Sequence, residues 1–302
     1  MSLPAAHPHT ARLRGLRLRS GFGRAWTLAP VGVWYSLFFI IPLLLMVRMS
    51  FAVVENFQLR YVWSFESYRA LVHDALVLQL LQRSFLVAVI VTSLTFAIGF
   101  PTAWLLARQP PARRNLLLVL LIVPWWSSYI VRIFAWRMGF GEAGIFNSFL
   151  QWSGITGEPL DIFAFGWFGV VLAEVNLYLP LMIVPLYMTL ERLDPDLMRA
   201  ALSLGASRRR AFVRVVLPLA TPGIITGAIF VFMPVTGEFI VPALVGAPGN
   251  FLYGNQIESQ FGTAYDWPYG SALAVLLLGL LSAFLIAFLV AAARVTRNLR
   301  AA

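Results

Sequence analysis

Glu191-Arg192-Leu193-Asp194-Pro195-Asp196-Leu197-Met198-Arg199-Ala200-Ala201-Leu202-Ser203-Leu204-Gly205-Ala206-Ser207-Arg208-Arg209-Arg210-Ala211-Phe212-Val213-Arg214-Val215-Val216-Leu217-Pro218 reads as two short helices joined at a glycine. Asp194 is placed to cap the first helix. Pro195 is placed to open it, because a proline at the first helical position gives up an N–H that has no partner there anyway. Leu197, Ala200, Ala201 and Leu204 recur at helical spacing, so one face is apolar and small. Gly205 is expected to end this helix in a left-handed conformation. A second helix, 207–216, is expected to present Arg208, Arg209, Arg210 and Phe212, with Pro218 opening the apolar run that follows. A helix–glycine–helix hairpin with small residues on its apolar side suits docking into a partner's groove.

On both sides of this hairpin the chain turns strongly apolar. Of its 302 residues 60% are hydrophobic and only 12% charged, against about half and about a quarter in soluble domains. A bilayer core about 30 Å thick needs about 20 apolar residues of helix. Six such spans are expected, at 26–47, 84–107, 115–136, 166–190, 219–244 and 268–293. The first is too long for the apolar region of a cleavable signal, and no small-residue cleavage site follows it. The expected fold is therefore all-α, a polytopic bundle of six transmembrane helices. Its organisation is a tail at 1–25, a six-span membrane domain at 26–293 containing the 191–218 loop, and a short tail at 294–302. Residues 139–165 read as a short interfacial helix after a glycine break.

Charge fixes the orientation. The net charge is +10, and all 23 basic residues are arginine. Seventeen of them fall in the N-terminal tail, the loop between spans two and three, the 191–218 loop and the C-terminal tail. By the positive-inside rule those segments are cytoplasmic, as are both termini. The basic balance is thus a signal of membrane topology, with a contact to anionic lipid possible for the tail, and no nucleic-acid partner is expected. With no lysine there is no Walker A loop, whose lysine must reach the phosphates. With no cysteine there is no disulfide or thiolate site. His7, His9 and His73 lack metal spacing, so no metal site is expected. No Ser/His/Asp arrangement supports catalysis.

The hairpin resembles the EAA loop of ABC importer permeases, roughly E-A-A-x-x-x-G-A followed about a dozen residues later by L-P. Ala200, Ala201, Gly205, Ala206, Phe212, Val215, Leu217 and Pro218 match it, while Arg199 stands where the pattern has Glu. Three further segments are similar to the polyamine-type permeases that import spermidine and putrescine. They are Pro101–Arg108, Pro124–Trp136, and Gly237–Gly246 continued by Gly254-Asn255 and Asp266-Trp267-Pro268. The subgroup also includes importers of opines and aminophosphonates. The resemblance implies a type I importer fold and a non-catalytic subunit in the bacterial inner membrane. It also implies a second permease chain, a cytoplasmic ATPase dimer holding ATP-Mg, and a soluble substrate-binding protein outside. No cofactor is expected in this chain. The ATPase contact would be made by Asp194, Arg199, Ala200, Ala201, Gly205, Ala206, Arg208 and Phe212. A secondary transporter, the competing class, predicts inverted repeats, and none is found.

Ionisable groups at membrane depth are costly and mark pathways or pairs. Glu174, Arg132 and Glu238 all fall in the outer halves of their spans. Glu238 sits where Pro234, Gly237 and Pro242 interrupt span five, and interrupted helices are tolerated beside cavities. Glu238 and Glu174 are therefore candidates for attracting a cationic substrate, with pairing to Arg132 or Arg137 as the structural alternative. Trp126 and Tyr129 are the aromatic candidates for cation–π contacts near Arg132.

Overall fold

A computed structural model describes residues 29–55, 58–160, 166–247 and 249–301. The expected tail at 1–25 and the start of span one lie outside the described residues. Helix α1 (Ala29–Met49) contains one π-turn at Ser36–Ile40. It is followed by a feature absent from the all-α expectation, a two-stranded antiparallel ribbon of β1 (Val53–Glu55) and β2 (Gln58–Arg60). Arg60 and Glu55 close it with a 2.9 Å ion pair. The short helix α2 (Glu66–His73) leads to Asp74, whose carboxylate accepts the Leu76 N–H and so starts helix α3 (Ala75–Ala107). Span two is thus the inner part of a 33-residue helix. At 1.5 Å per residue it is about 50 Å long and extends well beyond the bilayer core.

Span three is not a single straight helix. Helix α4 (Pro111–Ile122) passes into a 3₁₀ turn at Pro124–Trp126, and the backbone then becomes extended at Ser127 and Ser128. Helix α5 (Tyr129–Phe140) leaves at about a right angle, the two halves being bent by 90°. The cause is local. Pro124 withdraws a donor from the helical ladder, and the Ser127 hydroxyl closes the turn by donating back to the Pro124 carbonyl at 2.7 Å. The interfacial helix expected after the glycine break is α6 (Ile145–Trp152), held by buried Asn147, which bonds the Gly141 carbonyl and the Leu160 N–H.

Helix α7 (Trp167–Leu190) is span four. The hairpin follows as α8 (Pro195–Ser203) and the beginning of α9 (Arg208–Thr236). The expected boundary at Pro218 is absent, because the second hairpin helix and span five are continuous. A π-segment at Phe212–Val216 lets the Leu217 N–H reach the Phe212 carbonyl, and Pro218 is absorbed in the widened turn. Span five then ends early, at Thr236. A separate helix α10 (Ile240–Val245) completes it. Helix α11 (Tyr253–Gly262) precedes α12 (Trp267–Ala301), which runs on through most of the residues expected as a C-terminal tail.

Among the described residues five helices are long and apolar enough to cross a membrane, or six if the bent α4–α6 run counts as one span. At the centre α3, α7 and α9 pack on one another. Their facing side chains, among them Ala88, Val91, Ala103, Ala173, Met182, Ile183, Leu186, Ala220 and Val231, are fully or nearly fully buried. Alanines recur among them because lipid tails are as apolar as leucine, so helix association depends on close packing. On the arginine-rich side Arg114 and Glu191 join the start of α4 to the end of α7 at 2.7 Å.

Candidate functional site

The break in span five builds the first site. After Thr236 the chain passes through Gly237 and Glu238 before α10 begins, which frees backbone donors at the helix start. The Glu238 carboxylate takes them: Oε1 accepts the N–H groups of Phe239 at 3.0 Å, Ile240 at 2.8 Å and Val241 at 3.4 Å. Oε2 accepts the Tyr178 hydroxyl at 2.9 Å and the Tyr129 hydroxyl in a short hydrogen bond. Glu238 is 6% exposed. Helix α11 braces the break from the other side. The Asn255 amide donates to the Phe239 carbonyl at 2.8 Å, and a Cβ on Gly254 would stand 2.6 Å from the Gly237 carbonyl oxygen. Tyr253 anchors this brace through its N–H on the Ser84 hydroxyl and its own hydroxyl on the Leu273 carbonyl.

Glu174 lies on α7 one turn before Tyr178, on the same helix face and within electrostatic reach of Glu238. It is completely buried, and neither carboxyl oxygen has a hydrogen-bond partner. The Arg132 guanidinium lies 5.8 Å from the Tyr129 ring centre and 5.7 Å from that of Trp125. Among the described residues it forms no ion pair with either glutamate. Arg137 donates instead to the Leu244 carbonyl at 2.6 Å. The structure therefore brings together Glu238, Glu174, Tyr129 and Arg132. It does not bring in Trp126, which is 79% exposed and turned away. Its neighbour Trp125 is the residue at the site, its indole donating to the Leu177 carbonyl at 3.2 Å. At a 3₁₀ turn adjacent residues point in different directions, so Trp125 and not Trp126 faces this cluster. Tyr178 was missed altogether, although its i+4 spacing from Glu174 was a usable signal. Two acids, two phenols and an arginine can receive an ammonium-bearing molecule through charge and hydrogen bonds. Among the described residues no three His, Asp or Glu side chains gather as a metal site.

The hairpin is the second site. Asp194 caps α8 by accepting the Asp196 N–H at 2.9 Å, and Ser207 caps the next helix by accepting the Arg210 N–H. Gly205 has φ +85°, the left-handed turn expected of it. Ala200 and Arg208 are exposed, and Ala201 and Ala206 are half-buried. Arg199 pairs with Asp196 at 3.0 Å on the surface. Phe212 turns inward and meets Phe100 and Trp104 edge-on, at 5.6 and 5.8 Å between ring centres. The Arg108 guanidinium stacks 3.7 Å above the Trp104 ring, where partial desolvation lowers its pKa. The hairpin thus has one end clamped to α3 through Phe212 and a tip, Leu204, that is 89% exposed.

The model of the family described as binding-protein-dependent transport system inner membrane component matches residues 99–295, which take in both sites. The chain belongs to this family. It is 35% identical over 245 residues to the spermidine/putrescine transport system permease protein PotB of Escherichia coli K12, covering 81% of this chain and 88% of that one. It is 33% identical over 268 residues to the inner membrane ABC transporter permease protein YdcU of the same organism, covering 84% of each. Its fold is that of a chain of the bacterial alginate ABC transporter solved in complex with alginate pentasaccharide-bound periplasmic protein. The TM-score is 0.73 at 15% identity, over 93% of this chain and 98% of that one. As a member of the family the chain is a membrane permease subunit of a binding-protein-dependent transport system.

Proposed function

We propose that this permease passes polyamines or related small cationic amines inward, driven by ATP hydrolysed on a separate cytoplasmic ATPase dimer. The observation that carries the substrate class is the buried acid–phenol cluster of Glu238, Glu174, Tyr129 and Tyr178 at the break in span five. A carboxylate attracts an ammonium strongly only where water is scarce, because Coulomb energy varies inversely with the local dielectric. The substrate is delivered by an external binding protein, and a second, similar permease chain completes the pathway. This subunit hydrolyses nothing and needs no cofactor of its own. The arginine-rich side and both termini face the cytoplasm, where the 191–218 hairpin enters the ATPase groove.

Uptake of labelled spermidine and putrescine by cells whose only amine importer contains this permease tests the reading. Saturable, ATP-dependent uptake is the expected outcome, and transport of neither amine by an assembled complex would refute the substrate class. A second reading has one observation in its favour. Arg132, without an acid partner among the described residues, stands beside the cluster and suits the acidic group of an opine or aminophosphonate. Competition of amine uptake by those compounds separates the two.

A further inference from the structure

A cavity of about 700 Å³ opens between the hairpin and the arginine-rich ends of the central spans. Trp104, Leu193, Leu197, Met198, Val215 and Leu219 supply its apolar wall. The charged groups around it divide sharply. Glu191 is held by Arg114, Asp194 caps α8, and Arg199 is held by Asp196. Arg108 and Arg208 also line the cavity, and among the described residues neither has an acid within ion-pair distance. Arg108 is held in place by Trp104 beneath it and by the Met198 sulfur at 3.5 Å. The level in the membrane is equally specific. Trp104 and Arg108 stand at the end of α3 and Leu190 at the end of α7, with Leu219 about three turns inside the start of α9. There the apolar run of α3 gives way to the arginine-rich segment that begins at Arg108, a junction of the kind where tryptophan and arginine anchor spans.

We propose that this cavity binds an anionic phospholipid of the adjoining leaflet, its phosphate held by Arg108 and Arg208 and an acyl chain lying along the apolar wall. Basic pockets between spans on the cytoplasmic side suit anionic headgroups. A soluble anion would leave the apolar wall unfilled. The proposal does not depend on which substrate the permease carries.

Native mass spectrometry of the full-length chain tests it, with the protein released from micelles holding equimolar phosphatidylglycerol and phosphatidylethanolamine of identical acyl chains. Retention of phosphatidylglycerol is expected to exceed that of phosphatidylethanolamine by about five-fold per arginine engaged. Arg108→Gln with Arg208→Gln should abolish the preference. Arg209→Gln with Arg210→Gln removes equal charge from the same helix outside the cavity, and should leave the preference intact. Elution of each variant as a single species guards against misfolding. If the double variant fails to fold, the wild-type preference and Arg108→Gln alone still decide. Equal retention of the two lipids by the wild type, or equal loss in both pairs of variants, would overturn the proposal. So would displacement of the bound lipid by excess inorganic phosphate, which would mark a soluble-anion site.

Discussion

Glu238 spends both carboxylate oxygens on its own chain, one on three backbone N–H groups and one on two phenols. A glutamine there keeps an acceptor for the backbone and places its amide against the phenols, whose oxygens can accept. Glu238→Gln is therefore expected to leave the yield of assembled complex within about two-fold and to lower amine uptake several-fold. Uptake and detergent-extracted yield, measured together, check both halves. Glu238→Ala is different, because it strips the acceptor from buried donors at a cost of about 1–3 kcal/mol. It should lower the unfolding temperature as well as uptake. Glu174 has no partner to lose, so Glu174→Gln should preserve stability; unchanged amine uptake in that variant would remove it from the pathway. Gly254 answers to space. A Cβ at that position would lie 2.6 and 2.7 Å from the carbonyl oxygens of Gly237 and Glu238. Gly254→Ala must push α11 off the break, with an expected cost of about 1–3 kcal/mol, readable as a thermal shift.

Among the elements, the hairpin turns on one backbone angle. Gly205 has φ +85° and nothing within 4 Å of where a Cβ would sit, so substitution there meets strain but no collision. A β-branched residue is the least tolerant of this region, and asparagine is among the most tolerant. Gly205→Val should insert normally yet lose most transport and substrate-stimulated ATPase activity, while Gly205→Asn should retain much of both. Normal transport by inserted Gly205→Val would remove the hairpin from coupling. The π-segment that follows joins the hairpin to the bundle. Phe212 begins it, touches α3, and leads without interruption into the helix that ends at Thr236, two residues before Glu238.

For the whole molecule, the arginine at position 199 raises a question of assembly. It is 75% exposed, and among the described residues its ion pair is with Asp196. Arg199→Glu would set like charges three residues apart on α8, a penalty of a few tenths of a kcal/mol at most on an exposed helix. Folding of the permease should therefore be unaffected. If the ATPase groove is indifferent to this position, co-purification of the ATPase stays at the wild-type level. Loss of the ATPase at normal permease yield would place an acidic residue opposite Arg199. Helix α1 bears on assembly too. No residue from Ala29 to Met49 is buried within the chain, and Trp34, Phe38, Phe39 and Leu44 are more than half exposed. Only its second half, Ile41–Met49, packs on α12, which leaves most of its surface to lipid or another subunit.

By itself the sequence determined what depends on local chemistry and on transfer from water to lipid. The long apolar runs, the arginine asymmetry, the Asp194 cap and the Gly205 turn follow from residue type and spacing alone. The family was legible through the resemblance of the hairpin and of three further segments to known permeases. Tertiary structure decided where helices stop and which way they turn. Pro218 reads as a boundary and is not one, since a π-turn absorbs it. Residues 115–136 read as one span and are bent by 90°, because the serines after the Pro124–Trp126 turn adopt extended backbone. The same turn exchanged Trp126 for Trp125. Only packing could assemble the acid–phenol cluster, as Tyr129, Tyr178 and Glu238 come from three spans. Their meeting depends on how α5, α7 and the broken end of span five cross, and no spacing along the chain encodes that.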